Sequence, residues 1–309
     1  MVQIGILEAK DFSKNALDVL SKIATVEVFN HQKINDFLEN KEVLFIRLKY
    51  FIDNGFLKKS KKLKYICTPT TGLNHIDLEV CRKQSIEIIS LKGEYDFLST
   101  IRATPEHTFG LVLSLLRNYK EAFLSKNNCD WNREQYKGYE LYNNKVGIVG
   151  LGRVGKILAK YFQAFDVDIY FYDTNDLIEV EDITKLSSVV ELINKVNIVI
   201  LSASYSEENH NFFNKKIIDL LEDKYFINTA RGELIDELYL IKKLENNYFK
   251  GVALDVIQNE QNINNLELLC SLISQRNLII TPHIAGATYS SMHRTEEFIV
   301  KKLIKKLIK

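Results

Sequence analysis

Apolar and polar positions along the first hundred residues follow two alternating patterns. Short apolar runs predict β-strands, and between them apolar residues recur at the spacing of an amphipathic helix. The strand-like runs cover residues 3–7, 25–29, 43–47, 65–68 and 86–90, and helical patterns cover residues 12–23 and 78–83. Strands that alternate with helices predict a parallel sheet, and therefore an α/β domain.

A second series of the same kind follows a long amphipathic stretch over residues 102–118. Its strand-like runs cover residues 145–149, 168–172, 198–202, 225–228, 251–255 and 278–281. Six strands are what a doubly wound dinucleotide-binding fold requires. The chain then ends in a helical pattern over residues 290–309, which is too short to be a domain, so we expect it to pack on the first one. Its predicted apolar face comprises Phe298, Leu303, Ile304, Leu307 and Ile308.

Length and composition limit the class of protein. A chain of 309 residues with 46% apolar and 26% charged residues predicts two globular domains. We place the first at residues 1–100 plus 285–309 and the second at residues 101–284. A formal net charge of +1 provides no field that would attract nucleic acid or an anionic membrane, so the expected partner is a small molecule.

The cysteines and the N-terminus bear on location. Cys67, Cys81, Cys129 and Cys270 form no C-x-x-C pair and match no histidine spacing, so we expect reduced thiols and neither a disulfide framework nor a metal site. The N-terminal residues are typical of a first strand, not of a signal peptide, and no apolar run is long enough to span a bilayer. These features predict a cytoplasmic protein.

A glycine pattern opens the second series. Gly150, Gly152 and Gly155 form G-x-G-x-x-G between a predicted strand and a predicted helix. In a dinucleotide fold the first glycine permits the tight turn, the second lets a pyrophosphate approach the backbone, and the third lets the helix pack on the strand. The next strand ends at Asp173, which can accept hydrogen bonds from the adenosine ribose and would repel a 2′-phosphate. The pattern therefore favours NAD over NADP.

Three polar residues lie at the ends of later predicted strands, namely Arg231, Glu260 and His283. Ligands of open α/β sheets bind at the carboxyl ends of the strands, so these side chains can converge. Oxidation of a 2-hydroxy acid needs a base for the hydroxyl proton, a cation for the carboxylate and a partner that orients a histidine base. We assign His283 as the base, Glu260 as its partner and Arg231 as the carboxylate-binding fork.

With these residues in view, the chain resembles the D-2-hydroxyacid dehydrogenase family over nearly its whole length. That family includes D-3-phosphoglycerate dehydrogenases, hydroxypyruvate and glyoxylate reductases and D-lactate dehydrogenases. The segments that carry the resemblance are residues 70–77 (TTGLNHID), 106–118, the glycine pattern, 228–236 (NTARGELID), 251–256 (GVALDV) and 281–288 (TPHIAGAT).

The resemblance implies an architecture and further site residues. It implies two doubly wound parallel-sheet α/β domains, a flavodoxin-like substrate domain and a Rossmann NAD-binding domain, with a cleft between them, and a homodimer formed through the NAD-binding domains. The implied substrate is a small 2-hydroxy or 2-keto acid such as 3-phosphoglycerate, glycerate, hydroxypyruvate or glyoxylate. Implied substrate contacts are Thr71, Gly72, Leu73 and Arg47, and implied cofactor contacts are Arg153, Val154, Thr229, Ala230, Asp255 and Gly286.

The chain departs from the family pattern where prolines are usual, at Ser204 and at Gln261, and Ile257 replaces a phenylalanine. These changes affect loop shape without removing a reacting group. A second interpretation of the same residues is an NAD(H)-responsive binding protein that resembles the corepressors of this fold. A third is formate oxidation, which needs no general base and therefore leaves the His283 and Glu260 pair without a purpose.

Overall fold

A computed structural model describes residues 1–30, 33–124, 131–176, 180–260 and 265–308. Cys129 and Gln261, both named above, lie outside the described residues. The chain divides into two compact units, one of Met1–Ile101 with Ala287–Lys309 and the other of Arg102–Gly286. In the part of the chain that is described, no helix combines the length and the apolar character needed to cross a membrane.

The strands and helices alternate as the sequence pattern predicts. The strands are β1 Val2–Ile6, β2 Ala24–Val28, β3 Val43–Phe45, β4 Tyr65–Cys67, β5 Glu87–Ile89, β6 Lys145–Val149, β7 Asp168–Tyr172, β8 Thr184–Lys185, β9 Ile198–Leu201, β10 Tyr225–Asn228, β11 Gly251–Leu254 and β12 Leu278–Ile280. The helices are α1 Lys14–Ile23, α2 Ile34–Leu38, α3 Asn54–Leu57, α4 Leu78–Lys83, α5 Tyr95–Ser99, α6 Ala103–Leu116, α7 Tyr119–Leu124, α8 Arg153–Gln163, α9 Val189–Lys195, α10 Lys215–Ile218, α11 Glu237–Glu245, α12 Leu266–Ile273 and α13 Tyr289–Leu307.

The first unit is built on a parallel sheet. Its described strands are ordered β2-β1-β3-β4-β5, which is the flavodoxin-like order. Ile4 of β1 pairs with Val26 on one side and with Val43 on the other. All three residues of β3 are buried, as expected for a strand covered by helices on both faces. The parallel α/β fold predicted for this part of the chain is confirmed.

Helix α13 belongs to the first unit and packs on α1 and β5. The predicted apolar face was wrong in part, because Ile308 lies beyond the last helical residue and is 80% exposed. The most buried apolar residues of the helix are Ile299, Val300 and Leu303. Glu296 is also fully buried on this face, one turn before Ile299 and Val300.

The second unit contains the larger sheet, whose described strands are ordered β12-β11-β10-β9-β6-β7-β8 and are all parallel. The order β8-β7-β6-β9-β10-β11 is that of the Rossmann fold, and β12 extends it. The prediction of six strands omitted β8. This strand comprises only Thr184 and Lys185, neither of which is buried. It therefore lacks the apolar run from which a strand is predicted.

Apolar side chains cover both faces of the larger sheet. One face packs Leu192, Phe213 and Phe226 in its core, and the other packs Leu158 and Phe162 of α8. Burial of each such side chain contributes ~2 kcal/mol to folding. The catalytic candidates Arg231, Glu260 and His283 follow β10, β11 and β12 of this sheet.

Three described cysteines are free thiols. Cys67 and Cys81 are buried and Cys270 is exposed. Burial raises the pKa of the Cys81 thiol to about 11, so this side chain is neutral at ordinary pH and packs as a small apolar group.

Candidate active site

The three glycines of the motif have different surroundings, in the turn from β6 into α8. Gly150 has a φ of +91°, and a Cβ placed on it would lie 2.6 Å from the Cα of Ala203. A Cβ on Gly155 would lie 2.4 Å from the carbonyl oxygen of Gly150. A Cβ on Gly152, the N-cap of α8, would meet no described protein atom within 4 Å. The first and third glycines are therefore required by the protein itself, whereas the second leaves open space at a helix N-terminus, where a phosphate fits.

Asp173 follows β7 and lies beside this turn. Its Oδ2 accepts a hydrogen bond of 2.7 Å from the amide of Leu151, and its Oδ1 accepts one of 2.9 Å from the amide of Asn175. The carboxylate is thus placed next to the glycine loop, which is the position that recognition of a ribose requires. Its contact with the ribose stays a prediction.

Arg153 and Val154 form the first turn of α8, as their predicted place at the pyrophosphate requires. Burial lowers the pKa of the Arg153 guanidinium, and the nearby charge of Arg102 lowers it further. Two cations near a helix N-terminus make this region favourable for an anion. Their contact with a pyrophosphate stays a prediction.

The turn that follows β10 is fixed by Asn228, whose importance the sequence did not reveal. The Asn228 side chain accepts a hydrogen bond of 2.9 Å from the amide of Ala230 and donates one of 3.0 Å to the carbonyl of Arg231. The hydroxyl of Thr229 lies 2.7 Å from that of Thr108. Asn228 is completely buried, so these bonds hold the predicted nicotinamide-side residues Thr229 and Ala230 rigidly.

Arg231 ends this turn, and its guanidinium is largely buried within the second unit. Its Nη1 donates a hydrogen bond of 2.7 Å to the carbonyl of Ala230. Burial lowers the pKa of Arg231, while the negative charges of Glu260 and Glu233 oppose that effect. The guanidinium therefore lies within electrostatic reach of Glu260 in a poorly solvated environment, where a cation attracts a carboxylate strongly.

Gly232 joins the turn after β10 to the segment after β11. A Cβ on this glycine would lie 2.0 Å from the carbonyl carbon of Ile257. Only a residue without a side chain allows the two backbones to touch. The segment that leads to Glu260 is therefore in direct contact with the residue next to Arg231.

His283 and Glu260 form a hydrogen-bonded pair. The Nδ1 of His283 lies 2.6 Å from an oxygen of Glu260, and the two side chains are 24% and 32% exposed. Because a carboxylate can only accept, Nδ1 carries the proton and Nε2 is left as the reactive nitrogen. The backbone of His283 adopts a φ of +52°, and its amide donates to the carbonyls of Asp255 and Thr281.

Asp255 anchors the segment that carries His283. The carboxyl group is 1% exposed and accepts hydrogen bonds of 2.5 Å from the Thr281 hydroxyl and of 2.9 Å from the amides of Ile284 and Ala285. The His107 ring nitrogen lies 3.3 Å away. Burial alone would raise the pKa of Asp255, but these hydrogen bonds outweigh it, and the pKa is lowered. The implied contact of Asp255 with the nicotinamide carboxamide stays a prediction, as does that of Gly286.

The predicted substrate residues belong to the first unit. Thr71, Gly72 and Leu73 follow β4, and the Thr70 hydroxyl donates a hydrogen bond of 2.9 Å to the carbonyl of Gly72. Arg47 follows the neighbouring strand β3. The structure thus brings Arg231, Glu260 and His283 together in one unit and places the four substrate residues at the carboxyl edge of the other sheet.

Arg47 is already engaged within its own unit. Its Nη2 lies 2.5 Å from an oxygen of Glu296, and its Nη1 donates a hydrogen bond of 2.9 Å to the carbonyl of Lys10. Burial raises the pKa of Glu296, although Arg47 and the amide of Ser13 both act to lower it. The pairing of Arg47 with Glu296 joins distant parts of the chain and was not predicted, and the role of Arg47 in substrate binding stays a prediction.

Comparison with known proteins places this arrangement in a family. Residues 109–285 match the D-isomer specific 2-hydroxyacid dehydrogenase, NAD binding domain. A glyoxylate reductase from Thermofilum pendens is 31% identical over 86% of this chain and 78% of that protein. A D-3-phosphoglycerate dehydrogenase from Methanocaldococcus jannaschii is 27% identical over 99% of this chain. The chain spans 58% of the length of that relative and 53% of another of the same name.

A solved structure agrees with these matches. The TT0316 protein from Thermus thermophilus superimposes with a TM-score of 0.85 at 26% identity, covering 99% of this chain and 97% of the other. The chain belongs to the D-isomer-specific 2-hydroxyacid dehydrogenase family, and NAD is the cofactor of the domain it shares with that family. The predictions of the family, of the fold class and of NAD are confirmed, whereas the corepressor interpretation gains no support from these relatives.

Proposed function

We propose that the protein is an NAD-dependent D-2-hydroxyacid dehydrogenase that interconverts a small 2-keto acid and the corresponding D-2-hydroxy acid. The observation that carries this proposal is the 2.6 Å bond between His283 and Glu260. A histidine with an orienting carboxylate is a proton donor and acceptor, and Arg231 beside the pair supplies the cation that a 2-keto acid requires. The names of the relatives, glyoxylate reductase and D-3-phosphoglycerate dehydrogenase, support this substrate class.

The reaction consumes a 2-keto acid, NADH and one proton and forms a 2-hydroxy acid and NAD⁺. Bound NADH supplies the hydride for C2 of the substrate. Arg231 binds the substrate carboxylate, and protonated His283 donates its Nε2 proton to the carbonyl oxygen. Glu260 accepts the hydrogen bond from Nδ1 and stabilises the charged imidazole until the proton has left. In the oxidative direction, neutral His283 accepts the hydroxyl proton.

The cofactor groove supports NAD as the nucleotide. The open space at Gly152 accommodates a pyrophosphate, and Arg153 and Val154 present the first amides of α8 to it. Asp173 would form hydrogen bonds with the ribose hydroxyls and would repel the additional phosphate of NADP. The homodimer formed through the NAD-binding domain and the cytoplasmic localisation stay predictions, and light scattering of the purified protein would test the first of them.

The experiment that tests the proposal follows NADH absorbance with a series of 2-keto acids. His283→Asn removes the proton donor. Asparagine also tolerates the left-handed backbone conformation that His283 adopts. We expect kcat to fall by ~10²- to 10⁴-fold while NADH still binds, as measured by its fluorescence. His293→Asn is the matched control. His293 belongs to the first unit, not to that of His283, and its ring nitrogen hydrogen-bonds the carbonyl of Asp11 in the same unit.

Two results would contradict the proposal. One is the absence of turnover with every 2-keto acid and every 2-hydroxy acid tried. The other is equal activity of the His283→Asn variant and the unmodified protein, because the proton would then come from another group.

A further inference from the structure

Arg47 lies at the same edge of the first sheet as the other predicted substrate residues. Arg47 lies two residues beyond the end of β3, and Thr71, Gly72 and Leu73 follow the adjacent strand β4. Both segments lie at the carboxyl edge of one parallel sheet, where open α/β folds bind their ligands. Arg47 is thus placed where its charge would act on a substrate bound at this edge.

The segment that carries Arg47 is held in one conformation. The two carboxylate oxygens of Glu8 accept hydrogen bonds of 2.6 Å from the amide of Arg47 and of 3.0 Å from the amide of Lys49. The Arg47 side chain is 18% exposed, and its guanidinium contacts both Glu296 and the carbonyl of Lys10. Arg47 is consequently a fixed group and cannot swing freely toward a ligand.

Glu296 occupies the edge of the guanidinium that would bind an anion. The Nε and Nη2 of Arg47 both contact the same oxygen of Glu296, at 3.1 and 2.5 Å. This is the pair of donors that binds a phosphate or a carboxylate in the two-pronged geometry preferred by arginine. An incoming anion would have to compete with a carboxylate for these donors.

The carboxylate of Glu296 cannot withdraw into water. It is 0% exposed, and its second oxygen accepts a hydrogen bond of 2.8 Å from the amide of Ser13. The neighbouring turn of α13 is anchored in the apolar core by Ile299 and Val300. Separating Glu296 from Arg47 would leave a buried charge without its partner, which is strongly unfavourable.

We infer that Glu296 makes the Arg47 position electrically neutral, so that the protein selects 2-keto acids whose only acidic group is the C1 carboxylate. Substrates with a phosphate or a second carboxylate at or beyond C3 are disfavoured, because Arg47 has no net charge to offer them. This inference rests on the proposed function and specifies its substrate class. Lys49 does not replace Arg47, since its ammonium is solvent-exposed and lies over the ring of Tyr50 at 5.5 Å.

The test compares two substrates that differ only in the group at C3, hydroxypyruvate and its phosphate ester. For the unmodified protein we expect kcat/KM to favour hydroxypyruvate by at least about tenfold. Glu296→Gln removes the negative charge and keeps the shape of the side chain. It should shift the ratio of the two kcat/KM values toward the ester by about tenfold, as expected for one charge acting across a partly solvated site.

Glu297→Gln is the matched control. It makes the same charge change one residue away, where the side chain contacts Ser13 and Asn15 and not the guanidinium. It should leave the substrate ratio unchanged. A preference of the unmodified protein for the phosphate ester would overturn the inference. So would a Glu296→Gln variant that loses activity equally toward both substrates, because Glu296 would then only position Arg47.

A binding measurement separates this inference from the proposed function. Calorimetric titration of the NADH-saturated protein with inorganic phosphate needs no turnover, and the cofactor occupies its own phosphate site. Glu296→Gln should bind phosphate about tenfold more tightly than the unmodified protein, and adding Arg47→Met should abolish the gain. If no 2-keto acid is reduced, the proposed function fails, but equal phosphate affinity with and without Glu296 would refute the charge assignment on its own.

Discussion

Each of the two sheets has a buried carboxylate near its carboxyl edge, and the two groups are compensated in different ways. Asp255 receives hydrogen bonds from a threonine hydroxyl, two backbone amides and a nearby histidine, and its pKa is lowered. Glu296 has an arginine and one backbone amide, yet its pKa is raised. Several fixed dipoles thus offset the loss of water better than a close ion pair does.

The difference also separates two tasks. Three of the donors around Asp255 come from residues 281–285, so its charge organises the backbone that carries His283. The partner of Glu296 is a side-chain cation at a predicted substrate position. Changes at Asp255 should therefore act on stability and rate together, whereas changes at Glu296 should act mainly on substrate choice.

The largest expected effect is that of Asp255→Asn. The new side-chain NH₂ group cannot accept a hydrogen bond. At least one of the groups that now donate to the carboxylate would therefore lose its buried hydrogen bond. We expect the free energy of unfolding to fall by about 3 kcal/mol and kcat to fall because His283 is displaced. Denaturant titration and steady-state kinetics measure the two quantities. Unchanged stability would show that the hydrogen bonds around Asp255 do not compensate its burial.

A smaller loss of stability is expected for Glu296→Gln. The substitution breaks the ion pair with Arg47, but it also removes the cost of burying a charge whose pKa is already raised. The free energy of unfolding should therefore fall by less than it does for Asp255→Asn, because the Arg47 side chain is 18% exposed and keeps its hydrogen bond to the carbonyl of Lys10; the same titration measures this fall. If this variant lost as much stability as Asp255→Asn, the distinction between the two carboxylates would be wrong.

The smallest effect is a pair of opposite pH dependences. The folded-state pKa of Asp255 lies below the unfolded value of about 3.9, so its contribution to stability is present above that pH and is lost as the pH falls through the folded pKa. The folded-state pKa of Glu296 lies above the unfolded value of about 4.3, so its contribution is present below that pH and is lost as the pH rises through the folded pKa.

Denaturant titrations over a range of acid to neutral pH measure both dependences. The stability gap between Asp255→Asn and the unmodified protein should close toward acid pH. Relative to Glu296→Gln, the unmodified protein should instead become less stable as the pH rises. Parallel curves for all three proteins would indicate that neither carboxylate has a shifted pKa.

The sequence predicted those parts of the fold and site that depend on local patterns. Gly150 and Gly155 stand between a strand and a helix because the protein leaves no space for a side chain there, and together with Gly152 they form a spacing that is visible in the sequence. Strands such as β9, β10 and β11 were predictable because they are nearly continuous apolar runs that are buried at every residue. β8 was missed because two residues without burial carry no such signal.

The contacts that depend on tertiary packing could not be predicted in the same way. The turn formed by Asn228 and the meeting of Gly232 with Ile257 join elements that are distant in sequence or ordinary in composition. Glu296 did leave a trace in the sequence. It stands three, four and seven residues before Ile299, Val300 and Leu303, so an acidic residue occupies the apolar face of α13. Its partner Arg47, however, lies in another part of the chain.

The contact between Gly232 and Ile257 has a mechanical consequence. The turn bearing Arg231 and the segment that leads to Glu260 touch backbone to backbone, without a side chain that could yield between them. A force that displaces one of them is transmitted directly to the other. Arg231 binds the substrate in the proposed reaction, and Glu260 orients the proton donor. These two residues should therefore move together.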